Sequence, residues 1–396
     1  MKFSFFKWFY PGMGVKRWVI LAVLGIIMVA VGSAVYISEV FVFGKIVDLT
    51  TVILGIILVF VSIYKIFSSF IKVILPPGNK DLATILYEKR HLERGPRIVV
   101  VGGGTGLSVL LHGIKEFTSN IKAIVTVADS GGSSGRLREQ FDVLPPGDIR
   151  NCLVALADAE PLMQKLFQFR FKEGGDLEGH NFGNLFITAM TKVTGDFEVA
   201  IKESSKVLAI RGQVIPSTLE RVTLVAEYKD GSHIKGEDKI PERKLPIKKV
   251  SLEPENASAA EEALKAIEEA DVIILGPGSL YTSIIPNLII KGISDAIAKA
   301  TAMKIYVCNV MTQPGETDGY KASDHLRALI GHSGKKNIVN FCVVNTAARV
   351  PKELLEKYEQ QKSFPVIADS KAIKDLGCSV VEGSLISAAN FVRHDS

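Results

Sequence analysis

The stretch RIVVVGGGTGLSVLL, residues 97–111, decides the fold. Its unbroken apolar run at 98–101 reads as a strand buried on both faces, the pattern of a parallel sheet covered by helices. Gly102, Gly103, Gly104 and Gly106 follow at once. A strand–turn–helix unit must reverse tightly and bring bare backbone N–H groups up to an anion, which only residues without side chains allow. A helix opening near Thr105 or Gly106 then points the positive end of its dipole at the turn. A phosphate suits that turn.

Further apolar runs at 123–127, 272–275, 305–310 and 339–344 alternate with helical stretches such as 107–117 and 257–269. The expected fold is therefore α/β, a Rossmann-like parallel sheet with helices on both faces. Residues 223–228, then KDGS, then 233 onward, read as a β-hairpin decorating an edge, because Asp-Gly is a strong two-residue turn. In such sheets ligands bind beyond the carboxyl ends of the strands. The turns 102–108, 129–136, 276–283 and 309–317, with Asn345, should therefore converge on one rim.

Two familiar sites are excluded. A dinucleotide fingerprint would need a small residue where Leu107 stands, and no G-K-[ST] offers a Walker cradle. Net charge of +5 owes much to basic residues near the N-terminus and gives no argument for nucleic acid. Cys152, Cys308, Cys342 and Cys378 are scattered without metal spacing, as buried thiols of a reducing compartment would be.

The remaining turns carry the polar chemistry. In ADSGGSSGRLR, Asp129 ends a strand where a carboxylate accepts ribose hydroxyls, or else caps a helix; Gly131, Gly132, Ser133 and Ser134 form a donor-rich loop before Arg136. In PPGDIRN, Asp148 offers a cap, a magnesium ligand or a general base, Arg150 a bidentate phosphate partner, and Asn151 lies beside them. GHNFGN sets His180, Asn181 and Asn184 at a helix start, for sugar or base recognition or for capping by Asn181; His180 has no nucleophile to serve. LGPGSLYTS repeats the first logic with Gly276, Gly278 and Ser279, while Tyr281 can stack on a base or fill a groove. Asn309, Thr312 and Gln313 complete the pocket from the next strand end.

The N-terminal part differs in kind. Residues 18–37 and 49–67 form two apolar runs of bilayer-spanning length, the second reaching 67 if Lys65 snorkels. Lys2, Lys7, Lys16 and Arg17 precede the first, and seven basic residues from Lys65 to Arg97 follow the second. The expectation is a membrane hairpin at 1–74, a basic linker at 75–96 whose middle forms a short amphipathic helix or a solvated one, and a domain at 97–396. The positive-inside rule puts both termini and the main domain in the cytoplasm, on a multi-pass cell-membrane protein.

VGGGTGLS, ADSGGSSGRLR, PPGDIRNCLVALA, GHNFGNLF, VIPST, GPGSLYTSIIPNL and VCNVMTQPGET, in this order, resemble the bacterial gluconeogenesis factor family, the YvcK-like proteins of the CofD-like superfamily. The resemblance spans residues 97–396 and leaves out the hairpin. It implies binding of UDP-sugars such as UDP-N-acetylglucosamine, and a role linking gluconeogenic growth to peptidoglycan synthesis and cell shape. No established reaction goes with this branch, so a regulator is expected rather than an enzyme. A related branch, 2-phospho-L-lactate transferase, uses magnesium and places paired acids in the loop that corresponds to 128–132; here Asp129 is followed by Ser130. Magnesium transfer chemistry at Asp129 and Asp148 is thus the alternative, with a cell-wall protein or kinase, or a second copy of the chain, as further partners.

Overall fold

The computed structural model describes residues 15–38, 44–74, 90–158, 161–346, 352–388 and 392–394. The chain divides into two compact units, Met1–Lys89 and Arg90–Ser396. Lys2, Lys7 and most of the expected linker helix lie outside the described residues.

In the first unit, α1 (Lys16–Ser38) and α2 (Lys45–Ile74) pack along their length. Both are long and apolar enough to cross a membrane. Small residues let the backbones meet: a Cβ on Gly25 would lie 2.8 Å from the Gly55 carbonyl oxygen, and one on Gly32 would lie 2.8 Å from a Val52 methyl. Ile20, Ile27, Ile57 and Phe60 point outward, the inverse of a soluble core. The second helix begins four residues before the expected span and runs beyond its end at 67; its 30 residues make about 45 Å, more than the ~30 Å of a hydrocarbon core. Arg17 and Lys65 sit 5.3 and 5.9 Å from the Trp18 ring centroid, so the hairpin's open end carries an aromatic residue wrapped by cations.

The second unit is built on a seven-stranded, all-parallel sheet. Its strands are β1 (Ile98–Gly102), β2 (Ile121–Val125), β3 (Gln213–Pro216), β7 (Val272–Leu275), β8 (Met303–Val307), β9 (Phe341–Asn345) and β10 (Ser379–Gly383), in the order β10-β9-β8-β7-β1-β2-β3. Chain progression runs one way from β1 through β2 to β3 and the other way from β7 to β10, so the topological switch falls between β1 and β7. Val99, Val100 and Val101 are fully buried with Ile273, Leu275 and Tyr306, the core expected of strands covered on both faces.

Two corrections concern strands. The hairpin of β4 (Thr223–Tyr228) and β5 (His233–Lys235) does not extend an edge of the main sheet; with β6 (Ile247–Glu253) it forms a separate antiparallel sheet in the order β5-β4-β6. The main sheet also has two edge strands, β3 and β10, beyond the five expected. All four cysteines are buried free thiols.

Candidate functional site

The rim forms where the glycine turns after β1 and β7 meet at the switch point. Helix α3 (Gly104–Ile114) leaves the first turn, and a π-helical turn (Leu280–Ile284) leaves the second. The two are in backbone contact. A Cβ on Gly106 would stand 2.9 Å from the Pro277 oxygen, and one on Gly278 would stand 3.1 Å from the Gly103 oxygen. Gly104 and Gly276 have φ of 68° and 75°, the left-handed region open to glycine. Asn309 holds the second turn from both sides, its amide donating to the Gly278 oxygen at 2.7 Å and its oxygen accepting the Gly278 N–H at 3.2 Å.

The loop after β2 closes the same rim. It leads into α4 (Gly132–Phe141), and PPGDIRN opens α5 (Gly147–Leu156). Asp129 accepts the Gly131 N–H at 2.9 Å and bonds Ser134. Gly147 packs on the Asp129 carboxylate, where a Cβ would come within 2.8 Å of Oδ2. Asp148 is not the cap of its own helix; its carboxylate reaches across to the Gly103–Gly104 turn at the start of α3. A Cβ on Gly103 would sit 2.5 Å from its Oδ2. Burial, with the Asp129 carboxylate next, lifts Asp148 to about 7.

His180, Asn181 and Asn184 come to this loop through Ser133. His180 Nδ1 lies 3.2 Å from Ser133 Oγ, which accepts the Asn181 N–H at 3.2 Å and the Asn184 amide at 3.3 Å. The Asn184 amide also reaches Ser134 Oγ at 3.3 Å, while Asn181 caps α7 (Phe182–Thr194) through the Asn184 N–H. Burial, aided by Arg136 and Arg170, lowers His180 and keeps it neutral near pH 7. Arg150 is buried, donates to Asn151 Oδ1 at 2.6 Å and leaves its Nε without a protein partner.

Three acids missing from the sequence reading complete the rim. Glu316 is 3% exposed; its Oε1 accepts the Thr282 hydroxyl at 3.2 Å and Gln313 Nε2 at 2.5 Å, while its Oε2 is buried without a protein partner. Burial raises it to about 7. Glu237, at the end of the β4–β5 hairpin, is lifted to about 8 by burial and then by Asp129 and Asp148. Its neighbour Asp238 takes a 2.5 Å bond from Ser130 Oγ. The signal was present as Gly-Glu-Asp and Pro-Gly-Glu, two turns that deliver carboxylates.

One rim donor is already taken within the protein: Asp129 accepts the Gly131 N–H at the start of α4. Several expected residues point elsewhere. Tyr281 is buried against Tyr320 and His332, its hydroxyl 2.7 Å from that of Tyr320, so it fills the protein instead of facing the rim. Thr312 binds the Phe364 N–H, and Arg136 donates to the Glu178 carbonyl. Thr105 and Asn151 line a separate groove with Ser108 and His112. Ser279 and Gly132 stand at helix starts, neither with a side-chain cap.

Sheet order, switch point and paired glycine turns define a Rossmann-like α/β protein. The chain belongs to the CofD family, whose model, described as 2-phospho-L-lactate transferase CofD, matches residues 98–386. The gluconeogenesis factor of Bacillus subtilis is 50% identical over 302 residues, which cover 76% of this chain and 95% of that protein. A Nostoc sp. protein provisionally named a gluconeogenesis factor is 46% identical over 412 residues, covering 99% of this chain and 90% of the relative. A crystal structure of a Bacillus halodurans protein superimposes with a TM-score of 0.75 at 49% identity, covering 76% of this chain and 97% of that one.

Proposed function

We propose that the rim binds a nucleotide sugar of the UDP-N-acetylglucosamine type as a regulatory ligand. The hairpin then holds the sensor at the cytoplasmic face of the cell membrane, beside a cell-wall synthesis protein or kinase that reads its state, linking carbon metabolism to wall synthesis and cell shape. The backbone contact of two glycine turns at the switch point carries this reading, because such a crevice is where open α/β sheets take ligands. Arg150, with its unpartnered buried Nε, supplies the cation for a diphosphate, and the Asp129 and Glu237 carboxyl groups suit sugar or ribose hydroxyls.

A second reading, magnesium-dependent transfer of a phosphorus-containing group, rests on the meeting of Asp129 and Asp148. No group of three or more His, Cys, Asp or Glu side chains among the described residues could hold a metal. Two carboxylates fit magnesium only in the mode where ligand phosphates and water complete its shell. Asp129 and Asp148 would hold the ion, which would neutralise phosphate charge.

Calorimetry on the full-length protein in detergent micelles, with a panel of nucleotide sugars with and without magnesium, separates the readings when followed by product analysis. Saturable binding of UDP-N-acetylglucosamine without turnover supports the regulator. Consumption of an activated nucleotide only with magnesium establishes the transferase, and absence of nucleotide-sugar binding rejects the first reading.

A further inference from the structure

Beside the π-helical turn, β6, residues 318–320 and α12 (Ala322–Ser333) border an open groove of about 780 Å³ that takes no part in the rim. Its size falls within the range of small-molecule sites. One wall is aromatic. The half-buried Tyr320 ring is fixed edge-on by Tyr281 at 6.3 Å and His325 at 5.5 Å between centroids. His332 beside it uses both nitrogens, accepting the Val250 N–H at 3.1 Å through Nε2 and facing the Ala328 carbonyl at 2.7 Å through Nδ1. These rings are held before any ligand arrives.

The charges of the groove do not cancel. Arg327 is paired with Asp324 and Lys248 with Glu227, while Asp318 accepts the Gly315 N–H. Lys229 and Lys249 also line the groove, exposed and in no ion pair among the described residues, although Glu227 lies opposite Lys249 in the β4–β6 register; the four lining cations, with Lys248 and Arg327, outnumber the two lining acids, Asp318 and Asp324. An excess of positive charge beside a fixed aromatic wall matches a ligand with a planar ring and an anionic group.

We propose that this groove is a second ligand site, for a mononucleotide, with its ring against Tyr320 and its phosphate between Lys229 and Lys249. The site stands apart from the rim reading, since none of the rim acids lines it.

Equilibrium dialysis of radiolabelled AMP and UMP against the full-length protein in detergent micelles tests the assignment, with inorganic phosphate as control. Saturable binding of at least one mononucleotide is expected, at least about tenfold tighter than phosphate and undisturbed by excess UDP-N-acetylglucosamine. The Lys229→Glu/Lys249→Glu double variant should weaken it about tenfold or more at unchanged melting temperature, and Lys229→Gln/Lys249→Gln by less. Absence of saturable binding of both mononucleotides overturns the proposal. So does binding that the charge reversals leave unchanged, or that UDP-N-acetylglucosamine displaces, which would place the mononucleotide at the rim.

Discussion

The two glycine turns at the switch point are alike in backbone and different in what guards them. After β1, the acid beside Gly104 is Asp148, a half-buried residue from another rim loop that stands against Asp129. After β7, the acid is Glu316, buried and hydrogen-bonded through Oε1 to Thr282 and Gln313. The first carboxylate is opposed by a like charge, whereas the second is tied into the protein. On the function proposed above, ligand exchange would fall to the first turn and support to the second.

Forcing the turns apart should have the largest effect. Gly106→Val places branched carbon where even a Cβ would meet Pro277 and Gly278 backbone atoms at 2.9 to 3.1 Å. Neither atom belongs to a flexible side chain, so strain on the order of 3 kcal/mol is expected. Thermal unfolding should show a lower melting temperature, and calorimetry should show rim binding lost. A variant that retains both would refute the close approach.

Next comes the support. Glu316→Ala leaves a hydroxyl and an amide buried without an acceptor, which costs about 2 kcal/mol. Glu316→Gln keeps an oxygen for them and should stay within about 1 kcal/mol of wild type at pH 7. Equal loss in both variants, measured by denaturant unfolding, would mean that the negative charge itself is needed.

Asp148 should show its different setting through pH. Its folded value, about 7, lies above the ordinary 3.8, so the folded protein binds the extra proton between pH 4 and 7. Wild-type stability contributed by this group is therefore present below about pH 4 and lost as pH rises through 7. Asp148→Asn should be the more stable protein at pH 8, by on the order of 2 kcal/mol, and should converge with wild type near pH 4. A pH-independent difference in melting temperature would remove the carboxylate repulsion from the account.

These contrasts mark where the sequence was legible. Central strands such as β1 and β7 announce themselves because burial on both faces demands unbroken apolar residues. The edges do not: β3 has four residues ending in Pro216, and β10 has only exposed and half-buried positions. The convergence of the glycine turns with Asp129 was readable from their places at strand ends; Asp148, which follows α4, joins them only through the fold. Glu316 and Glu237 were not readable either, since each is brought to the rim from a turn far away in sequence, and nothing local marks which distant acid will arrive. Tyr281 misleads for a related reason: a tyrosine after a glycine turn reads alike whether it faces ligand or protein.

That residue supplies the smallest expected effect and the cleanest comparison between ligand-facing and protein-facing parts of the second turn. Burial, and then the Tyr320 hydroxyl, push the Tyr281 phenol well above its ordinary range, so its proton stays in the 2.7 Å contact. Tyr281→Phe keeps the ring against Tyr320 and His332 and removes one hydrogen bond, which costs about 1 kcal/mol. Melting temperature should fall by a few degrees while rim affinity for the nucleotide sugar stays within about twofold. Because the ring is retained, an affinity loss without a stability loss would place the hydroxyl in contact with ligand, and the division between an exchanging first turn and a supporting second turn would then have to be redrawn.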